Sequence, residues 1–219
     1  LGKIEKSEEY AATAASLTQL FLEQYVTPKG RVACDTQTSY ALALKFGLLE
    51  DKHLSTARER LGYLVRWERF KITTGFAGTP VILHALAENG MLNLAYRMLQ
   101  ERDCPSWLYP VTMGATSIWE RWNSMLADGS INSGQMTSFN HYALGSVCAF
   151  MHKVIGGLSP TTPGWKSALM KPQPGGTVRF AKTSFSSPYG LYEVDWKIES
   201  GKMTTKIQIP PNTEARVVL

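Results

Sequence analysis

The stretch G-G-L-S-P-T-T-P-G, residues 156–164, divides the chain into two parts with different hydrophobic periodicity. Before it, apolar residues recur at steps of three and four, which is typical of amphipathic helices. After it, apolar and polar residues alternate with period two, which is typical of strands. We therefore predict a mainly α protein with a helical domain over residues 1–158 and a small β-domain over residues 159–219.

Six helices are predicted before this stretch. The first carries an apolar stripe and ends at Pro28 and Gly30, and the fourth holds Pro80 in its first turn, where a missing N–H costs little. Ser138 is predicted to be the N-cap of the last helix. The helices after the first are expected at about 36–49, 51–69, 81–88, 92–100 and 138–155.

The connections between these helices alternate between short turns and long loops. Asn89-Gly90 is a tight turn, whereas residues 73–79 and 103–114 form longer loops that are rich in Gly, Trp and Pro. Helical hairpins with short turns at one end and long loops at the other indicate an α/α toroid, whose long loops gather at one mouth.

The C-terminal part is predicted to be a small antiparallel β-sandwich. Turn residues separate the runs, as in Pro188 to Gly190 and in the hairpin turn at 199–202. Its short strands cover only about fifty residues, so it is expected to pack on the helical part. The expected strands are 177–185, 189–198, 203–209 and 214–219.

Composition and charge exclude several functions. The net charge of +5 is spread without any basic run, so a nucleic-acid footprint is not expected. No apolar run reaches the ~18–20 residues that a membrane span needs. The three cysteines are far apart, which argues against a disulfide framework or a zinc site, and we expect buried free thiols. No cofactor and no metal site is expected, and localisation stays unknown, with the cytoplasm slightly favoured.

The stretch from Cys104 to Ser124 is the most unusual part of the chain. It places three tryptophans, Trp107, Trp119 and Trp122, around one glutamate, Glu120. Pyranose C–H faces stack on indole rings, and a carboxylate can take the proton of an attacking water. Composition alone leaves open the alternative that this is a tryptophan-rich loop that packs over a core.

Several motifs in this region resemble those of bacterial and fungal α-L-rhamnosidases. The run G-A-T-S-I-W-E-R-W-N at 114–123 is similar to the G-A-T-T-[IL]-W-E-x-W-[DN] signature of that family. Further similar segments follow the family's order: T-G-F-A-G-T-P at 74–80, C-P-S-W-L-Y-P at 104–110, S-F-N-H-Y-A-L-G-S-V at 138–147 and Y-G-L-Y-E-V-D-W at 189–196. The resemblance implies the C-terminal part of an (α/α)6 toroid followed by the family's C-terminal β-domain.

The resemblance also implies roles for individual residues. The family's general base falls on Glu120, which would deprotonate the water that attacks the anomeric carbon with inversion. The family's sugar-contacting histidine falls on His141, at the start of the predicted last helix. Trp119, Trp122 and Trp107 would form apolar walls of the subsite. No ligand role is expected for His53, His84 or His152, Asp128 is expected to form a turn, and Arg121 to pair with a carboxylate.

An inverting hydrolase needs a second carboxylate as general acid, and the family's acid-bearing segment has no match in this sequence. We therefore expect this chain to be a fragment without useful turnover alone, and to form a homodimer through an exposed half-barrel face. A carbohydrate, a terminal α-L-rhamnoside, is the expected ligand. The alternatives are another α/α-toroid glycoside hydrolase or a non-catalytic carbohydrate-binding remnant.

Overall fold

The computed structural model describes residues 2–219. Their contacts divide the chain into two compact units, with the division in the sequence between Leu144 and Gly145. The first unit is helical and the second contains the strands, which confirms the predicted order of helices and strands. This division lies earlier than the domain boundary predicted after residue 158. The change of sequence pattern nevertheless coincides with the first strand, which begins at Leu158.

Among the described residues, the helical unit contains six α-helices. The predicted bounds agree within two residues for the third and fifth helices, whereas the second ends at Lys45 and not at residue 49 as predicted. α2 begins at a capping box in which the Thr36 hydroxyl accepts the Ser39 N–H and the Ser39 hydroxyl accepts the Thr36 N–H. Such reciprocal bonds satisfy two orphan donors of the first turn. The helices are α1 (Ile4–Tyr25), α2 (Gln37–Lys45), α3 (Asp51–Trp67), α4 (Gly75–Glu88), α5 (Leu92–Leu99) and α6 (Leu108–Thr112).

The core of this unit lies where α2, α4 and α5 pack together. On α2, Ala41 and Ala43 are fully buried, and their small side chains let α4 approach closely. Tyr40 and Leu86 are also fully buried, and full burial of an apolar side chain of this size stabilises by about 1.5–3 kcal/mol.

α1 is a helix of 22 residues without a buried side chain. Its predicted apolar stripe is present, yet Tyr10 and Leu17 remain 67% and 61% exposed. Within residues 2–219, therefore, nothing covers the apolar face of this helix along most of its length.

α4 begins earlier than predicted, which places Pro80 inside the helix and not in its first turn. The Thr74 and Thr79 hydroxyls lie 2.8 Å apart, and the Thr79 hydroxyl also bonds the Gly75 carbonyl at 2.6 Å. These side-chain bonds hold the turn before the proline, so the helix starts at Gly75.

The single helix predicted over residues 138–155 is wrong. The structure has a 3₁₀ turn at Ala143–Ser146, an α-turn at Val147–Phe150 and a π-turn at Met151–Ile155. Ser138 is not an N-cap, because its hydroxyl accepts the Asn140 N–H in a local turn. His141 consequently lies before the first helical turn.

The second unit contains two three-stranded sheets, in the orders β1-β2-β6 and β3-β4-β5. Along β4, Tyr192, Val194 and Trp196 are fully buried at alternate positions, as the period-two pattern predicts. Two features were not predicted: the strands β1 and β2, and the parallel pairing of β2 with β6. The strands are β1 (Leu158–Pro160), β2 (Ser167–Met170), β3 (Phe180–Ser187), β4 (Gly190–Glu199), β5 (Lys202–Gln208) and β6 (Glu214–Val217).

The three cysteines are free, as predicted, but their predicted burial is wrong. Cys34 and Cys148 are exposed, and Cys104 is half-buried. Burial raises the pKa of the Cys104 thiol. None of the helices in residues 2–219 combines the length and apolar character that a membrane crossing requires.

Candidate active site

The tryptophan-rich segment enters the site through the short helix α6 and continues as irregular chain. The Ser106 hydroxyl accepts the Tyr109 N–H at 3.1 Å, and the Tyr109 hydroxyl donates to the Met125 carbonyl at 2.9 Å. Both bonds involve buried groups, so they fix the path of the loop that follows α6. Gly114 then reverses the chain with φ of +82°, a value that glycine adopts readily.

Glu120 is held by one residue from a distant part of the loop. Its backbone N–H donates to the Ser138 carbonyl at 2.8 Å, and the Ser138 N–H donates to the Glu120 Oε2 at 3.0 Å. The backbone and the carboxylate of Glu120 are therefore tied to the same partner.

Two further hydrogen bonds extend this pairing along the chain. The His141 N–H donates to the Ile118 carbonyl at 2.8 Å, and the Ser117 hydroxyl donates to the Phe139 carbonyl at 2.5 Å. We call the two paired segments, residues 117–120 and 138–141, the clasp. The clasp brings Glu120 and His141 together through the backbone, although 20 positions in the sequence lie between them.

The Glu120 carboxylate is half-buried and is not neutralised by a cation. Within residues 2–219 it forms no ion pair, and Oε1 accepts no hydrogen bond. Contrary to prediction, the neighbouring Arg121 forms no ion pair with a carboxylate of the described residues. Its guanidinium donates to the Gln135 carbonyl at 3.2 Å.

The imidazole of His141 contacts two aromatic rings. Its ring stacks on Phe76, with centroids 5.2 Å apart, and on Tyr142, with centroids 5.1 Å apart. Its Nδ1 accepts the Ala143 N–H at 3.3 Å. A neutral imidazole that accepts at Nδ1 carries its proton on Nε2, so this hydrogen bond assigns the tautomer that can donate from Nε2.

The three tryptophans pack mainly against protein. Trp107 and Trp122 meet edge to face with ring centroids 5.6 Å apart, and the Trp107 indole N–H donates to the Leu144 carbonyl at 2.9 Å. Trp119 packs edge to face on Phe139 at 5.2 Å and is only 3% exposed. The Trp119 ring therefore packs within the clasp, against Phe139, and offers little free surface for stacking.

The three tryptophans share a cavity of about 280 Å³ with apolar neighbours such as Val111 and Ile118. Neither Glu120 nor His141 lines this cavity. The structure therefore brings the predicted residues into two neighbouring groups: the tryptophans around an apolar cavity, and the carboxylate with the imidazole on the clasp.

The residues for which no ligand role was predicted have structural partners or lie in the core. Asp128 accepts bonds from the N–H and the hydroxyl of Ser130, which form the predicted turn, and the hydroxyl bond holds the pKa of Asp128 below its usual value. His152 bonds the Leu158 carbonyl at 3.0 Å, and His53 is buried. No cluster of three or more potential metal ligands occurs in residues 2–219.

Sequence reasoning missed Phe76, Ser117, Phe139 and the backbone of Ser138. Each lies inside a motif that was recognised, at 74–80, 114–123 or 138–147. The motifs therefore pointed to these residues. The helix predicted from Ser138, however, assigned the Ser138 backbone to helical hydrogen bonds, so its pairing with Glu120 was not predicted.

Comparison with protein families gives matches over nearly the whole chain. The bacterial α-L-rhamnosidase six-hairpin glycosidase domain matches residues 1–155, and the bacterial α-L-rhamnosidase C-terminal domain matches residues 157–219. Among curated relatives, an α-L-rhamnosidase from Streptomyces avermitilis is 38% identical over 95% of this chain, and one from Formosa agariphila is 35% identical over 99%. The chain spans 20% and 24% of the length of these relatives.

Solved structures agree with these matches. An α-L-rhamnosidase from Aspergillus terreus superposes with a TM-score of 0.96 at 44% identity, covering all of this chain and 26% of that one. The Streptomyces avermitilis α-L-rhamnosidase, solved in complex with L-rhamnose, gives a TM-score of 0.93 at 38% identity, covering 96% of this chain and 20% of that one.

Proposed function

The chain belongs to the bacterial α-L-rhamnosidase family. We propose that it carries the general base of an inverting active site that hydrolyses terminal α-L-rhamnosides. Glu120 is the general base in this proposal, and His141 binds a rhamnose hydroxyl. The observation that carries the proposal is the clasp, because it holds a carboxylate without an ion pair on the same backbone ladder as an imidazole with a proton to donate.

The proposed reaction needs a carboxylate that is charged, oriented and open to water. Ser138 orients Glu120 through Oε2, while Oε1 has no hydrogen-bond partner in the described part of the chain. A carboxylate placed in this way can take a proton from water as the water oxygen attacks the anomeric carbon.

The tryptophans form the apolar side of the proposed subsite. Trp122 is half-buried and lines the cavity of about 280 Å³ beside Trp107. Trp119 and Trp107 are 3% and 8% exposed, so they contribute shape and rigidity more than stacking area. Trp122 is therefore the tryptophan that would contact a pyranose, or an apolar group attached to the pyranose.

The general acid of this proposal lies outside these 219 residues. By resemblance to the family we expect it in an acidic segment that precedes the matched helices, and this proposal is supported by the length of the chain, which spans only about a fifth to a quarter of its relatives. Two carboxyl groups about 6.5–9.5 Å apart are needed for inversion. Taken alone, the chain is therefore expected to be inactive.

The test compares the chain alone with a chimera. In the chimera, this chain replaces the matching 26% of the Aspergillus terreus enzyme. We expect no turnover of an aryl α-L-rhamnoside by the chain alone, turnover by the chimera, and β-L-rhamnose as its first product by NMR. Glu120→Gln should lower kcat of the chimera by about 10²–10⁴-fold, whereas Asp128→Asn, which makes the same change at an exposed turn, should not.

Three results would count against the proposal. Turnover by the chain alone would contradict an external acid. An active Glu120→Gln chimera would remove Glu120 as the base, and α-L-rhamnose as the first product would exclude inversion. A chimera that prefers another glycoside would indicate a different α/α-toroid hydrolase, and rhamnose binding without turnover in the chimera would indicate a binding remnant.

A further inference from the structure

We infer that Ser117 and the backbone N–H of Ser138 position Glu120 so that its two carboxylate oxygens have separate tasks. Oε2 is the anchored oxygen, and Oε1 is the oxygen that receives the proton from water. The inference rests on the proposed role of Glu120 and deepens it.

The separation of tasks follows from the hydrogen bonds of the clasp. Ser138 both donates to Oε2 at 3.0 Å and accepts the Glu120 N–H at 2.8 Å. These two bonds close a ring that fixes the side-chain torsions of Glu120. A carboxylate anchored through one oxygen in this way presents the other in a single direction, as a general base requires.

Ser117 supports this geometry from the other end of the segment that carries Glu120. Its hydroxyl donates to the Phe139 carbonyl at 2.5 Å and provides the only side-chain hydrogen bond from residues 117–119 to residues 138–141 among the described residues. Phe139 directly follows Ser138, and its ring is held by Trp119 at 5.2 Å. The carbonyl and the ring of Phe139 are therefore both fixed, and the Ser138 N–H is fixed with them.

The proton transfer balances without any further group on the base side. The O–H bond of water breaks and its proton joins Oε1, while the oxygen lone pair forms the new bond to the anomeric carbon. The glycosidic bond breaks at the same time, and the leaving oxygen takes a proton from the acid outside this chain. The anchored oxygen keeps its hydrogen bond throughout.

Amide hydrogen exchange and NMR of the whole chain test the anchor directly. In Glu120→Ala the Ser138 N–H should exchange roughly ten-fold faster or more, because it loses a bond to a charged acceptor. Its proton resonance should also move upfield. An unchanged exchange rate and resonance would overturn the anchor, whether or not Glu120 is the base.

The role of Ser117 has its own variants. Ser117→Ala should accelerate exchange of the Ser138 N–H and lower kcat of the chimera with KM unchanged, and Ser117→Thr, which keeps the hydroxyl, should restore both. Ser133→Ala, at an exposed serine of the intervening loop, is the control. Equal loss in the alanine and threonine variants, or a change confined to KM, would contradict the positioning role.

The role of Glu120 as base and its anchoring by Ser138 can be disproved separately. If the Glu120→Gln chimera stays active while the Ser138 N–H responds to Glu120→Ala, the base assignment is wrong and the anchor remains. If kcat depends on Glu120 while the Ser138 N–H does not respond to its removal, the base remains and the anchor is wrong.

Discussion

The rings of Phe76 and His141 stack with their centroids 5.2 Å apart and their planes inclined by only 13°. Phe76 lies in the first turn of α4, whereas His141 lies on the clasp. The contact therefore connects the helical core to the residue that is proposed to bind the sugar. The ring of Tyr142 also stacks on the imidazole, with centroids 5.1 Å apart, so His141 contacts two aromatic rings.

Removal of the Phe76 ring is expected to weaken sugar binding. An aromatic pair contributes about 0.5–1.5 kcal/mol beyond its buried area, so Phe76→Ala should raise KM of the chimera by about 2–12-fold, and Phe76→Tyr should leave it near the parent value. Phe180→Ala, which removes a ring that is 74% exposed on β3, is the control. Unchanged KM in Phe76→Ala would show that His141 needs no support from α4.

The uncovered face of α1 is expected to drive self-association. Leu17 and Leu20 are 61% and 46% exposed on a helix that buries no side chain, and apolar area of this kind favours association. Light scattering over a concentration series should therefore show a dimer or larger species. Leu17→Glu combined with Leu20→Glu should shift the chain toward monomer, and Ser16→Glu on the same helix should not.

A compact monomer at all concentrations would contradict this expectation. Association that persists in the double variant would instead place the contact on another surface. Either result leaves the proposal for Glu120 unaffected, because the clasp consists of residues 117–120 and 138–141 and does not include α1.

Sequence periodicity predicted the regular elements because their faces differ in polarity. α5 was expected over 92–100 and is found at Leu92–Leu99, and a strand was expected over 189–198, where β4 is found at Gly190–Glu199. In each case a burial pattern repeats over several residues, and hydrophobicity alone carries the information.

The same reasoning could not predict the clasp. Its bonds join backbone groups of Ile118 and Glu120 to residues about twenty positions later, and backbone pairing of two irregular segments leaves no periodic trace. Local propensity assigned Ser138 to a helix N-cap, and the tertiary pairing overrode it. The motif at 114–123 predicted Trp119 as a residue of the site. Its burial could not be predicted, because it depends on packing against Phe139, which no local sequence pattern indicates.

The ion pair between Asp35 and Arg60 is expected to make the free energy of unfolding depend on pH in the acidic range. The Arg60 guanidinium donates to both Asp35 oxygens and holds the pKa of that carboxyl below its usual value of 3.8. A lowered folded-state pKa means that this stabilisation is fully present above the unfolded pKa and is lost as pH falls through the folded pKa.

Asp35→Asn should therefore lower the melting temperature at neutral pH, and the difference from the parent should shrink below about pH 4. The carboxylate is partly exposed, so the loss should be about 0.2–1 kcal/mol. Asparagine suits the test because Asp35 has φ of +39°, which asparagine also tolerates. Asp103→Asn, at an exposed residue without an ion pair among residues 2–219, is the control. If the difference in melting temperature between Asp35→Asn and the parent is constant with pH, the ion pair is not its source.

Gly157 is expected to be intolerant of any side chain. It has φ of +76°, and a Cβ placed there would overlap the backbone of Pro172. The backbone segments at Gly157 and Pro172 cannot easily separate, because the Lys171 N–H donates to the Gly157 carbonyl at 2.7 Å. Gly157→Ala should therefore combine the strain of positive φ with a backbone clash, which together cost roughly 2–5 kcal/mol.

Gly201 offers a matched control in the same compact unit. It has the same φ of +76°, but a Cβ there would meet no atom within 4 Å. Gly201→Ala should cost only the conformational strain, about 1–2 kcal/mol. The difference between the two variants in urea unfolding, at equal dependence on denaturant, then isolates the clash with Pro172. Equal destabilisation would mean that the segment at Pro172 moves to make room, and that backbone conformation alone requires glycine at position 157.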